Sequence, residues 1–212
     1  MKMVIFGANG PVGRLLTQQA LNEQHHVCAV TRHPDAFPIR HARLTVAHGD
    51  VYDAADVARA MVGQEVVLSL VGVPYTLKPV SVYSQGMMQI IPAMQVAGIR
   101  RLVCVTSVGT YPHYDPREGF IYGRIIKPLF GRTLYIDMRR MEKIVMQSDR
   151  DWTILRPAQL VDSSAITNYR LQEGFMMAGS HKTARADLAD GMLKQASSDQ
   201  YLHKAIAIAT FA

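Results

Sequence analysis

The feature that most constrains this chain is a glycine-spaced turn, Gly7-Ala8-Asn9-Gly10-Pro11-Val12-Gly13, set between two stretches of different periodicity. Before it, Lys2–Phe6 is a short apolar run of the kind that forms a strand buried on both faces. After it, Val12, Leu15, Leu16 and Ala20 recur at helical spacing. A strand that passes so abruptly into a helix calls for glycine at three places. One makes the tight turn, one lets backbone approach a pyrophosphate, and one lets helix and strand pack closely. The helix start then offers free N–H groups and a partial positive charge to phosphate. Pro11 suits the first helical turn, where a missing N–H costs little. Asn9 tolerates unusual backbone angles. Gly7, Asn9, Gly10, Pro11, Val12 and Gly13 are therefore candidate dinucleotide-binding residues.

The rest of the chain repeats the same alternation. Apolar runs predict strands over 26–31, 43–47, 65–71, 101–106, 152–155 and 205–209. Between them, Val57, Ala60 and Met61 mark one helix, and Met87, Ile90, Ile91 and Met94 mark another over 82–97. Further helices are expected over 135–147 and 185–195. Residues 109–133, rich in Gly, Pro, Tyr and basic side chains, read as a long loop with room for one short helix. Strands alternating with helices predict an α/β fold, a single doubly wound Rossmann-type domain over 1–212 with a mainly parallel sheet.

Composition narrows the function classes. Hydrophobic residues make up 49% and charged residues 19%, which suits a compact domain and not a disordered chain. No apolar run approaches the roughly 20 residues of a membrane-spanning helix. The opening apolar run is too short for a signal peptide, so no membrane partner and a cytoplasmic location are expected. Cys28 and Cys104 lie in separate buried-strand patterns without metal or redox spacing, and packing roles are expected for both. The histidines lack metal-ligand spacing, so no metal is expected. The net charge of +6 owes much to the stretch from Arg100 to Lys143. No nucleic-acid motif accompanies it, and either a solvated helix face or a site for an anionic cofactor or substrate would account for it. The sequence leaves monomer and homodimer equally open.

The end of the second strand bears on which dinucleotide fits. Sites for NAD(H) place an acid there, about 20 residues beyond the glycines, to hold the ribose 2′-hydroxyl. This chain has Thr31-Arg32-His33 instead, with no acid before Asp35. Arg32 can pair with a 2′-phosphate that an acid would repel, so NADP(H) is favoured over NAD(H). Asp50 and Val51, after the third strand, are placed for the adenine, and Asp53 for capping the next helix. Val71 and Gly72, ending the fourth strand, are expected beneath the adenosine.

Five segments carry a family resemblance: GANGPVGR at 7–14, GDVYD at 49–53, VTSVG at 105–109, MEKIVMQSDRDWTILRPAQLVD at 141–162 and ARADLADGML at 184–193. With these the chain resembles the atypical short-chain dehydrogenase/reductases, in particular the NmrA-like and flavin reductase/biliverdin reductase B-like group. The resemblance implies a Rossmann fold, NADP(H) binding and reduction of flavins, quinones or similar conjugated acceptors. It also includes relatives that bind the cofactor without turnover and act as redox sensors through a protein partner. By resemblance, Thr106 and Ser107 end the fifth strand beside the nicotinamide, and Pro157 and Ala158 border it after the sixth. Asp187 matches a structural acid of the late helix.

The wider superfamily uses a Tyr-x-x-x-Lys pair, in which the lysine lowers the tyrosine pKa. Here Tyr122 is followed by Lys127, one position too far, and Tyr135 is followed at the right spacing by Arg139. Ser107 and Tyr122 are retained as candidate catalytic residues. Hydride transfer to a conjugated acceptor creates a delocalised anion that solvent can protonate, which leaves the protein to orient the partners. Tyr111, His113, Tyr114 and Phe120 are candidates for stacking on a planar small-molecule acceptor or for anchoring the loop.

Overall fold

The computed structural model describes residues 1–113 and 132–211. Each predicted apolar run forms a strand, and the strands build an eight-stranded sheet in the order β3-β2-β1-β4-β5-β6-β10-β8. The elements that position the site are β1 (Lys2–Phe6), α1 (Pro11–Asn22), β2 (His26–Thr31), β3 (Leu44–His48), α2 (Ala54–Met61) and β4 (Val66–Ser69). They are followed by α3 (Val82–Val96), β5 (Arg101–Val105), α4 (Arg132–Met146), β6 (Asp151–Pro157), α5 (Arg185–Ala196) and β10 (Lys204–Phe211). All pairs from β3 to β10 are parallel, and only β8 (Asn168–Glu173) runs antiparallel, on the outer edge of β10. β7 (Gln159–Val161) and β9 (Lys182–Ala184) form a separate two-stranded ribbon.

Alternation along each strand sends side chains to two apolar layers. Val4, Phe6, Val67, Leu102 and Cys104 pack beneath α2, α3 and α4, whereas Met3, Ile5, Leu68 and Val103 pack beneath α1 and α5. This is the doubly wound α/β arrangement that the alternation predicts. Cys28 and Cys104 lie on β2 and β5, with β1 and β4 between them, and burial raises both thiol pKa values.

The sequence reading missed three strands, all within residues 159–184. β7 and β9 are three residues each and β8 is a largely exposed edge. Strands so short or so polar lack the apolar run that marks the others. The predicted strand over 65–71 also ends early, at Ser69, because Leu70–Gly72 leaves the sheet to pass beside Gly7.

Candidate nucleotide and acceptor site

In an open parallel sheet, ligands bind beyond the carboxyl ends of the strands, where the strand order reverses. Here that reversal lies between β1 and β4. Gly7, Arg32, Asp50, Val71-Gly72, Ser107 and Ala158 all follow the last residues of their strands on this one edge.

The fold itself demands two of the three glycines. Gly7 adopts φ +80, and a Cβ there would stand 2.5 Å from the Leu70 carbonyl oxygen. A Cβ on Gly13 would stand 2.3 Å from the Gly7 oxygen. Gly10 is different. Its φ of −70 suits any residue, and a Cβ would meet nothing nearer than the Gly7 oxygen at 3.4 Å. Nothing within the protein requires glycine at position 10, but a phosphate drawn close to the backbone would. Gly10 also caps α1 without a side-chain hydrogen bond, Pro11 follows, and the first turn holds no acid. The helix therefore presents its first amides and its positive end uncapped, which is the donor set a pyrophosphate needs.

Arg32 is exposed just past β2 and makes no ion pair among the described residues. Asp50 is half-buried. Its Oδ1 accepts from the Tyr52 N–H at 3.0 Å, and its own N–H donates to Asp56 at 3.0 Å. Asp53 caps α2, accepting from Ala55 N at 2.8 Å and Asp56 N at 3.0 Å, as predicted. These N–H donors hold the Asp53 carboxyl below its ordinary pKa. Val51 packs under Gly86 of α3, and Gly72 faces the Tyr83 hydroxyl.

Beyond β5, Ser107 Oγ accepts from Gly109 N at 3.1 Å and caps a single 3-10 turn. The Thr106 hydroxyl points inward and donates to Glu142 at 2.7 Å. Glu142 receives a bidentate pair from Arg156, Nε at 2.9 Å and Nη2 at 2.8 Å, and both side chains are buried. Arg156 also donates to the Gly174 carbonyl at 3.1 Å and lies 3.8 Å over the Phe175 ring. Phe175 in turn meets Tyr111, whose ring lies against His113. One polar network thus ties the ends of β5 and β6 to an aromatic cluster. Sequence reading supplied Tyr111 and His113 for that cluster but not Phe175. No spacing links residue 175 to residue 111, and the two rings meet only once the chain has folded. Pro157 and Ala158 are buried where β6 ends, with Ala158 N donating to Thr183 at 3.0 Å.

Tyr135 does not stand as an exposed proton donor. It is 3% exposed, its ring fills the space where a Gly109 side chain would be, and its hydroxyl meets that of Tyr75 at 2.5 Å. Arg139 donates to the Thr110 carbonyl at 3.4 Å. Tyr122, Tyr114 and Phe120 lie outside the described residues. Asp187 accepts from Thr167 N at 2.7 Å and Thr210 Oγ1 at 2.5 Å, so it tethers the 162–167 loop to β10. Among the described residues no cluster of His, Cys, Asp or Glu is arranged to hold a metal. No described helix is long and apolar enough to cross a membrane.

An NAD(P)H-binding family model matches residues 7–199, from the first glycine of the turn to the end of the last helix. The chain belongs to this NAD(P)H-binding family. Its glycine turn and uncapped α1 lie within the matched stretch. The UPF0659 protein C216.03 of Schizosaccharomyces pombe is 27% identical over 75% of this chain and 70% of its own length. Mycobacterial relatives are much longer, and the matched stretch spans 13% of them. A short-chain dehydrogenase/reductase from Veillonella parvula, solved in complex with NADP, superposes with a TM-score of 0.82 at 19% identity, over 98% of this chain and 94% of that one. An anaerobillin reductase from Escherichia coli O157:H7 gives 0.73 at 24% identity, over 99% and 97%. These two likenesses concern the fold.

Proposed function

We propose that this chain is an atypical short-chain dehydrogenase/reductase, an NADPH-dependent reductase of a planar conjugated acceptor such as a flavin or quinone. The observation that carries the reading is the pairing of an uncapped phosphate cradle and an acid-free Arg32 with a nicotinamide edge that has no exposed Tyr-Lys pair among the described residues. Bound NADPH would supply the hydride. The Val12 and Gly13 amides would hold its pyrophosphate, since the Gly10 N–H is taken by the Gly7 carbonyl and Pro11 has none, and Arg32 would hold its 2′-phosphate. Ser107 would orient the nicotinamide or acceptor, its own hydroxyl proton having no acceptor among the described residues. Tyr111, His113 and Phe175 would form one wall for a flat substrate, with the Glu142–Arg156 pair keeping that wall in register with β5 and β6. A conjugated acceptor spreads the charge it gains, so solvent protonation suffices where Tyr135 is buried. The likeness in fold to an anaerobillin reductase supports a reductase reading. The acceptor is a small molecule, and neither nucleic acid nor membrane enters the reading.

Titration with NADPH and NADH, followed by an acceptor screen on the same protein, tests it. NADPH should bind more tightly than NADH, and Arg32→Ala should weaken NADPH by about tenfold through loss of a charge-assisted contact. Oxidation of NADPH by a flavin or quinone completes the case. Binding of both redox forms with no turnover would instead favour an NADP(H)-sensing regulator that acts through a protein partner.

A further inference from the structure

Arg14 occupies an electrostatically awkward place. It lies in the first turn of α1, where the helix dipole is positive, and that turn contains no acid to offset it. Two other exposed arginines find carboxylates, Arg59 pairing with Asp56 and Arg100 with Asp151 at 2.9 Å. Neither Arg14 nor Arg32 has such a partner among the described residues. The Arg14 guanidinium is nevertheless held in place. Nε donates to the Asn9 backbone oxygen and to Asn9 Oδ1, both at 3.0 Å, and Nη2 donates to Oδ1 at 2.8 Å. Nη1 has no acceptor among the described residues.

The sheet register brings the two arginines to one corner. Phe6 pairs with Val30, so Thr31-Arg32 leaves β2 beside the point where Gly7-Ala8-Asn9 leaves β1. Asn9 lies on the β1 side of the turn, before Gly10, and its grip draws Arg14 back toward that corner, away from the amides of α1. Two arginines and a helix N-terminus thus share one corner of the sheet edge, and neither arginine makes an ion pair among the described residues. A phosphate monoester, with a charge of about −1.5 to −2, is the ligand chemistry that balances them.

We propose that Arg14 joins Arg32 in a two-arginine clamp on the 2′-phosphate of the adenosine ribose, with Asn9 as its positioning residue. The proposal rests on the NADPH reading above and adds to it a second determinant of cofactor choice. In this arrangement Arg32 supplies a mobile side chain from the strand end, and Arg14 supplies a fixed one.

The test is titration of the full chain with NADPH, NADH, 2′,5′-ADP and 5′-AMP. Arg14→Gln should weaken NADPH and 2′,5′-ADP by about tenfold or more, the loss of a charge-assisted pair, and leave NADH and 5′-AMP within about twofold. Arg14→Lys and Asn9→Ala should give intermediate losses in the same direction, since each keeps the charge but frees it from the turn. Melting temperatures of the unliganded variants identify any that fail to fold. Equal weakening of NADPH and NADH would assign Arg14 to the pyrophosphate or to the turn and overturn the clamp, as would no change in either. If the unaltered protein binds no NADPH, the cofactor reading falls and the clamp falls with it. Tight NADPH binding with an indifferent Arg14→Gln removes the clamp alone.

Discussion

At the scale of single residues, the three glycines of one turn answer to different demands, and substitution separates them. Gly13→Ala drives a methyl into the Gly7 and Ala8 carbonyls and should destabilise the protein by about 1–3 kcal/mol, read as a lower denaturation midpoint. Gly10→Ala meets no such obstacle and should change stability by less than about 0.5 kcal/mol, while NADPH affinity collapses. A Gly10→Ala protein that binds NADPH normally would refute the role given to that position. The Glu142–Arg156 pair makes a different point. Glu142→Gln leaves a buried guanidinium without its counter-charge, and chemical denaturation should show a loss of about 3–5 kcal/mol. The turn was legible in the sequence because all its parts lie within seven positions. The ion pair was not, because a helix residue and a strand residue meet there only once the layers have packed.

Among the elements, α3 shows how one helix is finished by another. Ser81 stands at its N-cap but makes no side-chain cap bond. Asp137, reaching across from α4 and fully buried, instead accepts from Tyr83 N at 2.9 Å, Ser84 N at 3.3 Å and the Ser84 hydroxyl. Asp137→Ala should cost about 1–3 kcal/mol and speed hydrogen exchange at the Tyr83 and Ser84 amides first, whereas Asp137→Asn should keep most of the protection. Unchanged exchange at those amides would show that the cap is dispensable. Helices and buried strands were readable from periodicity alone, within three residues at their ends. The β8 edge carried a weaker sign, Tyr169 and Leu171 alternating with Asn168, Arg170 and Gln172, which only the neighbouring β10 explains. Nothing in the sequence around residue 137 announces a cap for a helix that begins fifty residues earlier.

For the molecule as a whole, acid is the informative perturbation. The two-pronged hydrogen bond from Arg100 holds the Asp151 carboxyl below its ordinary value of 3.8, and Arg150 does the same for Asp149. With Asp53, these groups bind fewer protons in the folded chain than in the unfolded one between the lowered values and 3.8. Their stabilisation is complete above that window and is lost as pH falls through the folded values. The melting temperature should therefore be flat near neutrality and decline below about pH 4, and Asp151→Asn should make that decline shallower. A decline of the same steepness in the variant would exclude Asp151 as a contributor. The strand order carries a further lesson. In the function proposed above, the adenosine side comes from residues 1–72, one uninterrupted piece whose strands β1 to β4 are mutual neighbours. On the same reading the acceptor side draws its walls from separate later stretches around 107–113 and 174–175. A lineage can therefore exchange one set of substrates for another by rewriting those stretches, without disturbing the inheritance of its reductant.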